Sequence, residues 1–78
     1  MTTEVRFPWL SSQEPDSEGI VSTWFVESGE TVAADQLIAE VQLDKVAADV
    51  RAPASGIVRH LILEGQVATQ GTAIAVIE

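Results

Sequence analysis

The chain has 78 residues, no cysteine, one histidine, 46% hydrophobic residues and a formal net charge of −8. Such a chain makes one small domain that must rest on a compact core, with no disulfide and too few ligands for a zinc site. The charge argues against nucleic-acid binding, which needs a basic footprint, and favours partners with positive patches. No apolar run is long enough to cross a bilayer as a helix.

In chain order, residues 4–7 read as a first strand closed by Pro8, with Trp9 and Leu10 carrying the chain over the core edge. Residues 11–18, SSQEPDSE, are polar and turn-rich and read as a surface loop. The first twenty residues hold four acids and no apolar stretch of the secretory kind, so no signal peptide is expected. Residues 19–26, rich in Ile, Val, Thr, Trp and Phe, predict a second strand. A turn at 27–30, a brief strand at 31–32 and a turn at 33–36 lead to a strand over 37–43. Residues 46–51 run back until Pro53, which cannot donate to a ladder, ends the strand. A strand over 57–63, a short one at 67–68 and a closing one over 73–77 follow, separated by turns at 64–66 and 69–72. No segment shows helical periodicity.

Between the strands 37–43 and 46–51 stands Asp44-Lys45, and Lys45 is the sole lysine. A two-residue loop there sets Leu43 opposite Val46, Val41 opposite Ala48, Ala39 opposite Val50 and Leu37 opposite Ala52, all apolar. The alternate positions pair Gln42 with Ala47, Glu40 with Asp49 and Ile38 with Arg51, a mostly polar face. A slip of one residue on one strand would scramble this division, so the pattern places the turn at Asp44-Lys45. Tight loops favour Asn-Gly or Asp-Gly. Asp44 suits that preference and Lys45 does not. Taken alone, a tip lysine is most often a solvated charge guarding a sheet edge.

The chain also repeats itself. Gly19-Ile20-Val21 matches Gly56-Ile57-Val58 at an offset of 37, and Gly29, Ile38, Ala39 and Val41 match Gly65, Ile74, Ala75 and Ile77 at an offset of 36. Two similar halves of about four short strands predict an all-β fold, a flattened β-barrel or sandwich of two roughly four-stranded antiparallel sheets related by a pseudo-twofold. Position 42 then corresponds to 78, which sets Lys45 and the chain end at opposite ends of the domain.

No triad, paired-carboxylate site or metal cluster stands out. His60 lies mid-strand without a motif and reads as a surface or edge residue. Trp24, opposite Leu61 in the repeat, reads as packing, and Gly29 and Gly65 as turn glycines.

Asp44-Lys45-Val46, with Ala39-Glu40-Val41 before it and Ala52-Pro53-Ala54-Ser55-Gly56 after it, resembles the lipoyl-domain signature of 2-oxoacid dehydrogenase complexes. Glu18-Gly19-Ile20-Val21, Gly29-Glu30-Thr31-Val32 and Glu64-Gly65 extend the resemblance over nearly the whole chain. It implies that Lys45 carries lipoic acid in amide linkage, attached by a lipoylating enzyme. It implies as partners a thiamine-dependent 2-oxoacid dehydrogenase that acylates the arm, an acyltransferase core that passes the acyl group to coenzyme A, and a dihydrolipoamide dehydrogenase that reoxidises it. The domain itself would be a carrier without an active site and a monomer, touching neither nucleic acid nor membrane.

In such domains the first loop lies beside the lysine turn and helps partners tell one domain from another. The resemblance therefore assigns recognition to Asp44, Val46, Glu14, Asp16 and Glu18, although residues 11–18 are about two longer than is usual. Leu43 and Val46 stand where the family more often has Thr or Ser and Ala. The chain is expected to be the N-terminal domain of a longer acyltransferase, in a bacterial-type cytoplasm. Biotinyl domains share the fold, but their lysine usually sits between methionines, and here the only methionine is Met1. An unmodified adaptor that binds through its acidic surface is the alternative from another class.

Overall fold

A computed structural model describes residues 2–14 and 16–78; Met1, and Pro15 within the expected loop, lie outside the described residues. The described chain is all β, in eight strands: β1 (Thr3–Arg6), β2 (Glu18–Trp24), β3 (Thr31–Val32), β4 (Leu37–Leu43), β5 (Val46–Arg51), β6 (Gly56–His60), β7 (Val67–Thr69) and β8 (Ala73–Ile77). They form two four-stranded antiparallel sheets, ordered β1-β8-β6-β3 and β5-β4-β2-β7. The sheets stay separate, so of the two expected architectures the fold is the sandwich, flattened to 34 × 21 × 18 Å.

Inward-facing residues of both sheets make one core, with Val5, Phe7, Val21, Ile38, Val41, Val58, Ile74 and Ile77 almost wholly buried. Alternation explains most of it: side chains at every second position of a strand point to the same face. Along β4, Ala39, Val41 and Leu43 are buried while Gln42 is exposed. Ile38 departs from this. Expected opposite Arg51 on the polar face, it is fully buried, because the β4–β5 ladder shifts between Leu37 and Ala39 and pairs Leu37, not Ile38, with Arg51. A bulge of this kind inserts an unpaired residue and re-aims the side chain. The expected pair Leu37 with Ala52 is replaced accordingly.

The two sheets are copies. Exchanging β1 with β5, β8 with β4, β6 with β2 and β3 with β7 converts one strand order into the other. Pairings transfer residue by residue: Val21↔Val41 matches Val58↔Ile77, and Gly19↔Ala68 matches Val32↔Gly56. Turn bonds transfer too. Gly29 N–H donates to the Val58 carbonyl at 2.7 Å, as Gly65 N–H donates to that of Val21 at 2.8 Å. Even the bulge at Ile38 has its twin, where the β1–β8 register shifts past Ile74.

The step in the repeat from 37 to 36 also has a physical cause. The β2–β4 register shifts between Val21 and Thr23, so Ser22 is the extra residue. Beyond it Trp24 corresponds to His60 rather than to Leu61. Trp24 N–H donates to Glu64 Oε1 at 2.9 Å and His60 N–H to Ser28 Oγ at 3.0 Å, which are matching bonds. The two rings stack on each other, centroids 3.8 Å apart and 13° from parallel. So β2 and β6 run towards each other and meet at this pair. Their starts, and whatever lies beside those starts, are at opposite ends of the sandwich.

Candidate functional site: the Lys45 turn and the loop beside it

One end of the sandwich carries the β4–β5 hairpin. Its register runs Leu43↔Val46, Gln42↔Ala47, Val41↔Ala48, Glu40↔Asp49, Ala39↔Val50, as the apolar pattern requires, and its two loop residues are Asp44 and Lys45. Asp44 takes a φ of 55°, and Lys45 stays at ordinary negative φ. Of the two loop positions, only the first takes a positive φ. This removes the apparent misfit of a lysine in a tight turn, since the position that strains an L-residue is taken by aspartate, which tolerates it.

Lys45 is exposed, and among the described residues it makes no hydrogen bond or ion pair. Val46 was expected on the dry face opposite Leu43. It is 46% exposed, because β5 is the edge strand of its sheet, whereas Leu43, on the inner strand β4, is 5% exposed.

Beside the tip lies an open groove of about 530 Å³, lined by Leu10, Ser11, Gln13, Glu14, Ser17, Glu18, Leu43, Asp44 and Val46. The structure therefore brings Glu14 and Glu18 together with Asp44 and Val46, and leaves exposed Asp16 outside the lining. Glu14 is held: its N–H donates to Ser11 Oγ at 3.2 Å, and its carboxylate accepts from Ser17 Oγ at 3.2 Å. Gly19 lets the base of the site close up. A Cβ there would run into the Phe7 ring and the Gln42 carbonyl oxygen.

The loop rests on the turn between β7 and β8. Phe7 N–H donates to the Thr72 carbonyl at 2.8 Å, and Gly71 N–H donates to the Phe7 carbonyl at 2.8 Å. The Trp9 ring lies over Gly71, where a Cβ would collide with it. Gln70 does the rest. It is 2% exposed, the one buried polar side chain among the described residues. Its Oε1 accepts from Leu10 N–H at 2.8 Å and Ser11 N–H at 3.0 Å; its Nε2 donates to the Ser11 carbonyl at 2.7 Å and the Glu14 carbonyl at 3.1 Å. Sequence reasoning passed over Gln70, because a polar residue in a Thr-Gln-Gly-Thr turn looks solvated. The available clue was the long first connection, which needed an anchor somewhere.

His60 lies away from this site, at the end of β6. It is half-buried rather than a surface residue, and burial lowers its pKa from 6.5, opposed by a weaker hydrogen bond to the Val26 backbone. Its Nε2 and the Trp24 Nε1 are buried without partners, which suits a neutral ring packed on indole and no proton-transfer role. Among the described residues no three acids or histidines cluster as metal ligands would.

Comparison with known proteins agrees with this arrangement. A family model described as "Biotin-requiring enzyme", covering biotin- and lipoyl-type domains, matches residues 3–77. The dihydrolipoyllysine-residue acetyltransferase component of the pyruvate dehydrogenase complex of Staphylococcus aureus (strain N315) is 38% identical over 79 positions, which take in all of this chain and 18% of that protein. The protein of the same description from Staphylococcus epidermidis (strain ATCC 12228 / FDA PCI 1200) is 37% identical over the same spans. The chain thus covers under a fifth of the length of these curated relatives. With nearly every residue matched and the lone lysine at the tip of a symmetric β-sandwich, the chain belongs to the biotin/lipoyl-domain family.

Proposed function

We propose that this domain is a lipoyl carrier, with Lys45 as the attachment residue, belonging to the acyltransferase of a 2-oxoacid dehydrogenase complex. The observation that carries the reading is the turn itself. The only lysine projects from the second position of a two-residue loop, flanked by Asp44 and Val46 and by no methionine. The relatives, named as dihydrolipoyllysine-residue acetyltransferase components, support lipoate over biotin and a longer parent chain of which this is one domain.

The site suits such a group. Its amine is exposed and unpaired among the described residues, and the paired strands hold the tip at a fixed place. A lipoyl group held in amide linkage to Lys45 would supply the dithiol–disulfide chemistry for reductive acylation by a thiamine-dependent dehydrogenase, for thioester transfer to coenzyme A and for reoxidation by a dihydrolipoamide dehydrogenase. The chain contributes position. It presents Lys45 at one end and leaves the reacting groups to the partners' active sites, where tethering raises their effective concentration.

Mass spectrometry of the natively expressed protein tests this. A lipoyl adduct on Lys45, absent from Lys45→Arg, is expected. A biotinyl adduct would move the protein to the other branch of the family, and a bare lysine in cells competent for lipoylation would leave an unmodified adaptor.

A further inference from the structure

The two halves of the molecule differ in one large respect. β1 and β2 are joined by eleven residues, 7–17, whereas their twins β5 and β6 are joined by four, 52–55. The fold makes the same crossing both ways, so the additional length is not needed to connect the sheets. Ordering additional backbone costs conformational entropy, and Ser12, Gln13, Glu14 and Asp16 stay exposed and return little by burial. Yet this one is fastened. Gln70 uses the full capacity of its amide, two acceptances and two donations, on residues 10–14 alone. Its counterpart in the other half is Ala34, exposed in the turn that joins β3 to β4. The chassis departs from its own symmetry to build a clamp, and the clamped segment forms one wall of the groove beside Asp44 and Val46.

We infer that Gln70 is a positioning residue for partner recognition: it holds residues 10–14 in one conformation at the lysine end, so that the acidic wall meets a docking dehydrogenase already shaped. The inference rests on the carrier reading and deepens it. A segment ordered in advance avoids the entropy loss on docking that a loose one incurs. No smaller or purely accepting side chain can replace the amide. Alanine leaves three backbone groups to find water, since the Glu14 carbonyl keeps the Ser17 N–H at 3.0 Å, and glutamate turns a carboxylate oxygen towards the Ser11 and Glu14 carbonyls.

The test uses the lipoylated domain, with Gln70→Ala and Gln70→Glu beside the wild type. The expected result has three parts. Amide exchange accelerates at residues 10–14 and not in the sheets. KM for the domain as substrate of its 2-oxoacid dehydrogenase rises about tenfold with kcat little changed, the pattern of lost docking. Ligase-catalysed lipoylation, which reads the turn, keeps its rate. Replacing Glu14 and Asp16 by their amides should then matter less in the Gln70→Ala background than in the wild type, because the charges no longer sit in one place. Faster exchange at 10–14 with unchanged KM would overturn the inference. So would equal losses with ligase and dehydrogenase together with faster exchange throughout the sheets, which would mean general loosening. Gln70→Glu decides the matter if Gln70→Ala does not fold. Failure of the carrier reading shows separately, as a wild-type domain that takes no lipoyl group.

Discussion

At the turn, two adjacent residues have different tasks that cannot be exchanged. Asp44 accepts the left-handed backbone, and Lys45 takes the position that needs no special conformation. Swapping them, as Asp44→Lys with Lys45→Asp, places a lysine at a φ near 55°, where a side chain without local hydrogen bonding costs about 1 kcal/mol. The swapped domain should fold with a slightly lower melting temperature and be lipoylated far more slowly, because the amine leaves the position a ligase must read. Parallel thermal melts and lipoylation rates check this. Equal modification of the two proteins would show that the turn geometry is irrelevant.

The loop over residues 7–17 and the hairpin make one surface at the level of elements. Glu14, Glu18 and Asp44 set negative charge along the groove, with Asp16 exposed nearby. Steering by exposed charge acts mainly on encounter rate and fades as salt rises. Glu14→Gln with Asp16→Asn should therefore slow reductive acylation at low salt, lose that effect at high salt, and change ligase-catalysed lipoylation less. Rates at two ionic strengths decide it, and unchanged acylation at low salt would exclude the loop acids from recognition. How far these elements were legible follows from their physics. The hairpin register was, because five consecutive pairs obey a period of two that a slip would break. The bulge at Ile38 was not, since an inserted residue leaves no mark on composition, and an isoleucine opposite Arg51 looks acceptable at a mixed face. Trp24 was matched with Leu61 because the added residue, Ser22, precedes it within the same strand. Glu14 and Glu18 could be placed at the groove only by resemblance, since nothing in the letters themselves says where a polar loop will lie.

Across the whole molecule, the Trp24–His60 stack is where the halves meet, and it makes stability sensitive to mild acid. The folded pKa of His60 lies below 6.5, so between that lowered value and 6.5 the unfolded chain binds more protons than the folded one. The contribution of this one group to stability is then fully present above about pH 6.5 and is lost as pH falls through the window below it. Melting temperatures should fall more steeply on acidification for the wild type than for His60→Gln, the two curves converging as pH drops. Parallel curves would show that the histidine carries no linked proton. The twofold arrangement reaches one step further, to the chain ends. Thr3 pairs with Ile77 as Ala48 pairs with Val41, and Glu78 exchanges both backbone hydrogen bonds with Ile57 where Gln42 faces Ile20. The start of β1 and the end of β8 thus stand where β5 and β4 are joined by the lysine turn. A circular permutant that joins Glu78 to Met1 through Leu-Asp-Lys, the counterpart of Leu43-Asp44-Lys45, and opens the chain between Asp44 and Lys45 would keep both sheets and carry its lysine at the other pole, beside the short connection 52–55. Two proteins with one chassis and one turn, differing only in the neighbour of that turn, would separate what an enzyme reads in the hairpin from what it reads in the loop.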